Sequence, residues 1–184
     1  VTAFASGHAL LEIVDSLAPG CLLLDVRMPE MDGIEVQRRL RKRGIDLPVV
    51  VMTGHGDLAV GIAALQEGAV AFIEKPFAKE TVHQALNTAF LRLEDPGGYA
   101  LHLARTAAAV AALEPNERSV LIQLAAGHSN EMIAAELGVG PAIVEVRRAR
   151  LLADLGAKTV NDLLTIAIAA GLGPGDYATL PKDP

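Results

Sequence analysis

The chain has 184 residues, 51% of them hydrophobic, a mean hydropathy of +0.35 and a formal net charge of −6. That length suits one large or two small domains with a buried core, and the composition excludes disorder except at the ends. The acidic balance excludes an all-over nucleic-acid-binding surface, the near absence of aromatic residues argues against gripping single strands by base stacking, and no apolar run approaches the roughly 20 residues of a membrane span.

Taken in chain order, VTAF (1–4) predicts a short strand and 7–17 a helix, with Pro19-Gly20 turning the chain. CLLLDV (21–26) is apolar enough for a strand buried on both faces, as in a parallel sheet. Residues 33–43 predict an amphipathic helix with Ile34, Val36 and Leu40 inward and the run RRLRKR as a solvated face. PVVVMTG (48–54) is a second buried strand, 57–68 a helix, AVAFIEK (69–75) a third strand and 77–93 a longer helix. Strands alternating with helices imply a doubly wound parallel sheet, that is, an α/β first domain over 1–93.

The pattern then changes. EDPGG (94–98) reads as a break and 99–112 as an Ala-rich helical linker, so that 94–112 separates two domains. From Leu113 onward no strand is visible. Four short helices follow, with Pro115 starting the first and Ser129 or Asn130 capping the second. Gly140-Pro141 opens the third, and Thr159 with Asp162 forms a capping box on the fourth. The turn Leu137-Gly138-Val139-Gly140 joins the second and third tightly, as in a helix-turn-helix. This predicts an all-α second domain over 113–172 and a tail over 173–184.

Three strand ends would converge at one edge of a parallel sheet, bringing together the carboxylate of Asp25, the hydroxyl of Thr53 and the ammonium of Lys75. A carboxylate there is a nucleophile toward phosphorus, with Thr53 to donate to a phosphoryl oxygen and Lys75 to neutralise another. Pro76 after Lys75 is a candidate for a cis bond. An aspartyl phosphatase would want a second acid two residues after Asp25, where Arg27 stands. The chain is therefore not expected to be an enzyme. His8, His55, His83, His102 and His128 show no ligand-like spacing. Cys21 is the single cysteine, which excludes an internal disulfide and suits a buried thiol in a reduced setting. No basic stretch followed by an apolar one opens the sequence, so a cytoplasmic location is expected.

The segments Asp25-Val-Arg-Met-Pro-Glu-Met-Asp-Gly33, Thr53-Gly54 and Phe72-Ile-Glu-Lys75-Pro76-Phe77 resemble the receiver domain of two-component response regulators. The second half resembles the LuxR-type helix-turn-helix, and the pairing is similar to the FixJ/NarL class. The resemblance implies a flavodoxin-like receiver with Asp25 as phospho-acceptor, Thr53 and Phe72 as a switch pair and Lys75 as the phosphate-binding lysine. It also implies Mg²⁺, held by Asp25 and the backbone carbonyl of Arg27. The acidic pair that completes such a metal site belongs to a first strand that the sequence does not include, nor does it include the first helix. Glu12 and Asp15 fall on a helix and do not substitute, so slow phosphate uptake is expected from this chain. Implied partners are a sensor histidine kinase, double-stranded DNA and a second copy of the chain. An alternative is a degenerate receiver acting through protein contacts with weak DNA binding.

In the second domain, residues 141–155 would be the recognition helix. Placing Val144, Leu151 and Leu155 inward leaves Ala142, Glu145, Val146 and Ala149 toward the major groove. Arg147 and Arg150 flank that face as phosphate contacts. Ile143 stands where the family usually has Thr, and Arg147 where His is common. Residues 114–172 carry five Lys and Arg against seven Asp and Glu, a net −2, so non-specific affinity should be low.

Overall fold

The structure, a computed structural model, describes residues 1–177. The larger part of the expected tail, 178–184, lies outside the described residues. The chain divides into two compact units, Val1–Ala100 and the remainder from Leu101.

The first unit is built on three parallel strands, β1 (Leu22–Asp25), β2 (Val49–Thr53) and β3 (Ala71–Glu74), in the order β1-β2-β3. The register pairs Leu24 with Val51, Asp25 with Met52, Val51 with Phe72 and Thr53 with Glu74. The β-branched run Val49-Val50-Val51 suits the central strand, which is buried on both faces. Strand alternation then divides the core. Val50 and Ile73 pack with Val70, Ala85 and Ala89 on one face, while Phe72 meets the helix on the other.

Four helices accompany this sheet: α1 (Gly7–Ile13), which packs on α2 (Gly33–Lys42), and α3 (Leu58–Gln66) and α4 (Lys79–Glu94), which pack on β2 and β3. Ser6 caps α1 by accepting the Ala9 N–H at 3.2 Å, and Asp32 caps α2 through the Glu35 N–H at 2.7 Å. The expected outward basic face of α2 is largely neutralised. Arg39 and Arg38 pair with Glu35 at 2.8 and 3.2 Å, and Arg38 and Arg41 pair with Glu67 at 3.2 and 3.5 Å. These contacts hold Glu35 below, and Arg38 above, its usual pKa range.

Two local expectations are corrected. Val1–Phe4 forms no strand, because β-propensity yields a strand only where a neighbouring edge offers ladder partners. The stretch 94–98 is not a broad break: a new helix, α5 (Pro96–Ala111), begins two residues after α4 ends. Pro96 cannot continue α4 but is pre-set for a first helical position. Asp95 caps the new helix by accepting the Gly98 N–H at 2.8 Å, which lets both glycines enter it. The division between the two units falls within α5.

The second unit contains α6 (Pro115–Ala125), α7 (Asn130–Glu136), α8 (Pro141–Asp154), α9 (Val160–Ala169) and a short α10 (Pro174–Tyr177). Its core gathers Val110, Val120, Leu121, Leu124, Ile133, Val144, Leu151, Leu163, Leu164 and Ala167. Thr159 and Asp162 form the expected capping box, and Ser129 caps α7 through the Met132 N–H at 3.3 Å. A second box, unforeseen, joins Glu114 and Glu117 across Pro115. Tyr177 in α10 donates its hydroxyl to Glu136 and sets its ring edge-on to His128, with centroids 4.4 Å apart. That hydrogen bond, first, and then burial push the Tyr177 phenol above its usual pKa.

Candidate functional site

The parallel register carries the carboxyl ends of all three strands to one edge, where open α/β sheets place their ligands. Asp25 closes β1, Thr53 closes β2, and Lys75 follows β3 with a cis bond to Pro76. Lys75 Nζ pairs with Asp25 Oδ2, and Asp25 Oδ1 accepts the Arg27 backbone N–H at 3.2 Å. The two side chains are 42% and 32% exposed, so a donor can reach the carboxylate. Gly33, at the start of α2, is required here by close approach: a Cβ would lie 2.5 Å from the Asp25 carbonyl oxygen.

Thr53 is brought to the same edge but not onto Asp25. It is 1% exposed and donates its hydroxyl to the Ile73 carbonyl at 3.5 Å, a long and weak bond. Phe72 is 4% exposed and turned inward against α3, where a Cβ on Gly61 would come within 2.5 Å of its ring.

Four further side chains at this edge, those of Arg27, His55, Asp57 and Glu74, pair with one another or with the loop backbone. The Arg27 side chain donates to Asp57 Oδ2 at 2.6 Å. Glu74 accepts the Gly56 N–H at 2.6 Å and pairs with His55 Nδ1 at 3.2 Å. The sequence carries a signal for them: His55 and Asp57 follow the end of β2, Arg27 follows that of β1, and Glu74 is the last residue of β3.

As a magnesium site the described residues do not suffice. Magnesium demands octahedral oxygen coordination, and no group of three or more His, Cys, Asp or Glu side chains gathers for a metal among the described residues. Asp57, the nearby second carboxylate, is occupied by Arg27.

In the second unit, α7 and α8 are joined by a turn in which the Leu137 N–H donates to the Ile133 carbonyl and the Val139 N–H to the Ala134 carbonyl, both at 3.0 Å. On α8, Val144 and Leu151 are buried while Leu155 is only half-buried. Ala142, Ile143, Glu145, Val146, Ala149 and Arg150 are exposed, and Arg147 is half-buried. Arg150 is not free at its position: its Nε pairs with the buried Glu117 at 2.8 Å and with Asp154 at 3.5 Å. Arg148 donates to Asn130 Oδ1 at 2.9 Å, bracing α8 against the first turn of α7.

A parallel α/β unit with an accessible strand-end carboxylate, followed by a unit with a helix-turn-helix, is the build of a two-module regulator. Residues 1–87 match the response regulator receiver domain, and 111–167 match the bacterial regulatory proteins of the luxR family. The chain belongs to the FixJ-type two-component response regulators, which join a receiver to a LuxR-type DNA-binding domain. It is 38% identical to the transcriptional regulatory protein FixJ of Bradyrhizobium diazoefficiens over 94% of this chain and 84% of that protein. Identity is 36% to FixJ of Azorhizobium caulinodans, over 97% of this chain and 85% of that one, and 36% to the response regulator protein TmoT of Ectopseudomonas mendocina, over 90% and 76%. Among solved structures, full-length FixJ from B. japonicum superposes with a TM-score of 0.51 at 37% identity, covering 93% of this chain and 84% of that one. Receivers of this family typically bind Mg²⁺ at the phosphorylation site. Among the described residues no helix is long and apolar enough to cross a membrane.

Proposed function

We propose that Asp25 is the phospho-acceptor through which a sensor histidine kinase controls DNA binding by α8. The kinase's phosphohistidine gives its phosphoryl group to a carboxylate oxygen of Asp25, forming an acyl phosphate and freeing the histidine. The observation that carries this reading is the ion pair of Lys75 with Asp25 at an accessible strand edge. Lys75 is already in place to neutralise a phosphoryl oxygen. Thr53 has little to lose by leaving the Ile73 carbonyl for a stronger, charge-assisted bond to phosphate, and Phe72 lies one strand away from it. The added charge thus biases a switch built of Thr53, Phe72 and α3.

The output reading places Ala142, Glu145, Val146 and Ala149 toward base edges, with Arg147 and, once released from Glu117, Arg150 near phosphates. The linker over 94–112 connects the modules, the protein works as a homodimer, and it acts in the cytoplasm beside its double-stranded DNA. Were Mg²⁺ bound there, Asp25 and the Arg27 carbonyl would be the two oxygens this strand edge offers it, too few for an octahedral site on their own. The test is intact-mass and peptide analysis of the full chain after incubation with acetyl phosphate and Mg²⁺. Slow addition of one phosphoryl group at Asp25, abolished in Asp25→Asn, is expected. Equal labelling of the Asp25→Asn variant overturns the assignment.

A further inference from the structure

The exposed face of α8 is unusual in what it lacks. By 100° steps, Ala142, Val146, Ala149 and Ala153 fall within about 60° of one another. All four are exposed, Val146 at 65%. Ile143, 47% exposed, borders this strip on one side and Glu145 on the other. No hydrogen-bond donor stands at its centre. The three arginines of the helix are directed elsewhere: Arg148 is bonded to Asn130, Arg150 to Glu117 and Asp154, and Arg147 is half-buried at the far edge. Single exposed apolar side chains need no explanation, but Ile143 and Val146 stand three residues apart, on adjacent turns of the helix.

We infer that this helix reads DNA chiefly through thymine methyl groups, with Ile143 and Val146 as the residues that determine specificity. This rests on the proposed reading that α8 is the DNA-reading helix. In the major groove guanine presents two acceptors and asks for a donor such as arginine, whereas thymine alone presents a methyl group. A strip of alanine methyls with two branched apolar side chains offers thymine a dry contact and offers guanine nothing. Two charged groups flank the strip: Arg150, which is held by Glu117 and Asp154, and the Glu145 carboxylate, which only accepts and so suits the amino group of cytosine and opposes guanine. The second unit's net negative charge acts in the same direction: with little phosphate attraction to supply affinity, base contacts must carry more of it.

The test begins with selection of duplexes from a random library by the full chain at low salt. The enriched duplex is then resynthesised with deoxyuridine in place of thymidine, one position at a time. Removing a buried methyl should weaken binding roughly fourfold at each contacted position, with an unchanged salt slope because no phosphate contact is altered. Val146→Ala and Ile143→Ala should each abolish the uracil penalty at one position, an effect that a change in DNA stiffness would not show. Both side chains are exposed, so neither truncation opens a core cavity. Binding indifferent to uracil, or a penalty that survives both truncations, overturns the inference while leaving DNA binding intact. Failure to enrich any duplex overturns the DNA-reading assignment of α8, and this inference with it.

Discussion

Arg27 Nη2 donates to Asp57 Oδ2 at 2.6 Å, tying the loop that follows β1 to the turn that opens α3. The two residues are 30 positions apart in sequence, and Asp25 lies two residues before one of them. The Arg27 side chain is 74% exposed and that of Asp57 23%, so solvent screens the pair. Its contribution to stability should be at most about 1 kcal/mol. Its value is local, since it links two loops far apart in sequence. Arg27→Ala should leave the unfolding midpoint nearly unchanged but speed amide hydrogen exchange across Gly54–Asp57. A large drop in stability without local exchange would refute this assignment.

Phe72 and Gly61 make the tightest interlock of the proposed switch. A methyl group at 61 would sit 2.5 Å from two ring carbons of Phe72. The ring must then move against a well-packed strand, at a cost of about 1–3 kcal/mol. The better helix propensity of alanine returns about 1 kcal/mol. Gly61→Ala should therefore destabilise the first unit by up to about 2 kcal/mol in urea unfolding. In a Phe72→Leu background the same substitution should become neutral or stabilising. Equal costs in both backgrounds would show that the ring is not the obstacle.

How much of this was legible in sequence depends on the range of the interaction. The strand ends at Asp25, Thr53 and Lys75 were readable because apolar runs and their terminators are local, and parallel pairing then brings them to one edge. Helix starts at Ser129 and Thr159 were readable for the same reason. The Arg27–Asp57 and Arg150–Glu117 pairs were not, because each joins residues about thirty positions apart through packing that no local pattern encodes. Val1–Phe4 has strand propensity but no partner strand, and propensity without a ladder forms none. EDPGG joins Asp and Pro, residue types that end helices, yet here the two together start one.

Tyr99, near the start of α5, packs half-buried against the cluster of Val50, Val70, Ile73, Ala85 and Ala89. Burial, above all, pushes its phenol above the usual tyrosine pKa; Arg92 opposes this and Asp46 adds to it. The sign of the linkage follows. With the folded value raised, the stabilisation is complete below the unfolded pKa of about 10. It is lost as pH climbs from there through the folded value, because the unfolded chain ionises first. The stability of the wild type should therefore fall more steeply above that pH than that of Tyr99→Phe, which retains the ring and Tyr177. Urea midpoints across that range provide the comparison, and parallel curves would remove Tyr99 from the alkaline transition.

Gln123 presents the opposite case, a polar side chain with no visible reason for its place. It is 1% exposed on α6, amid Val120, Leu121, Ile122, Leu124 and Ala125, all buried. Neither Nε2 nor Oε1 has a hydrogen-bond partner among the described residues. An amide desolvated in this way costs about 1–3 kcal/mol, whereas methionine fills a similar volume without the polar atoms. Gln123→Met should therefore raise the stability of the second unit by about that amount, read as a higher thermal midpoint. If instead the midpoint falls, the amide is satisfied in solution, and the bond it makes is worth more than the apolar contacts that replace it.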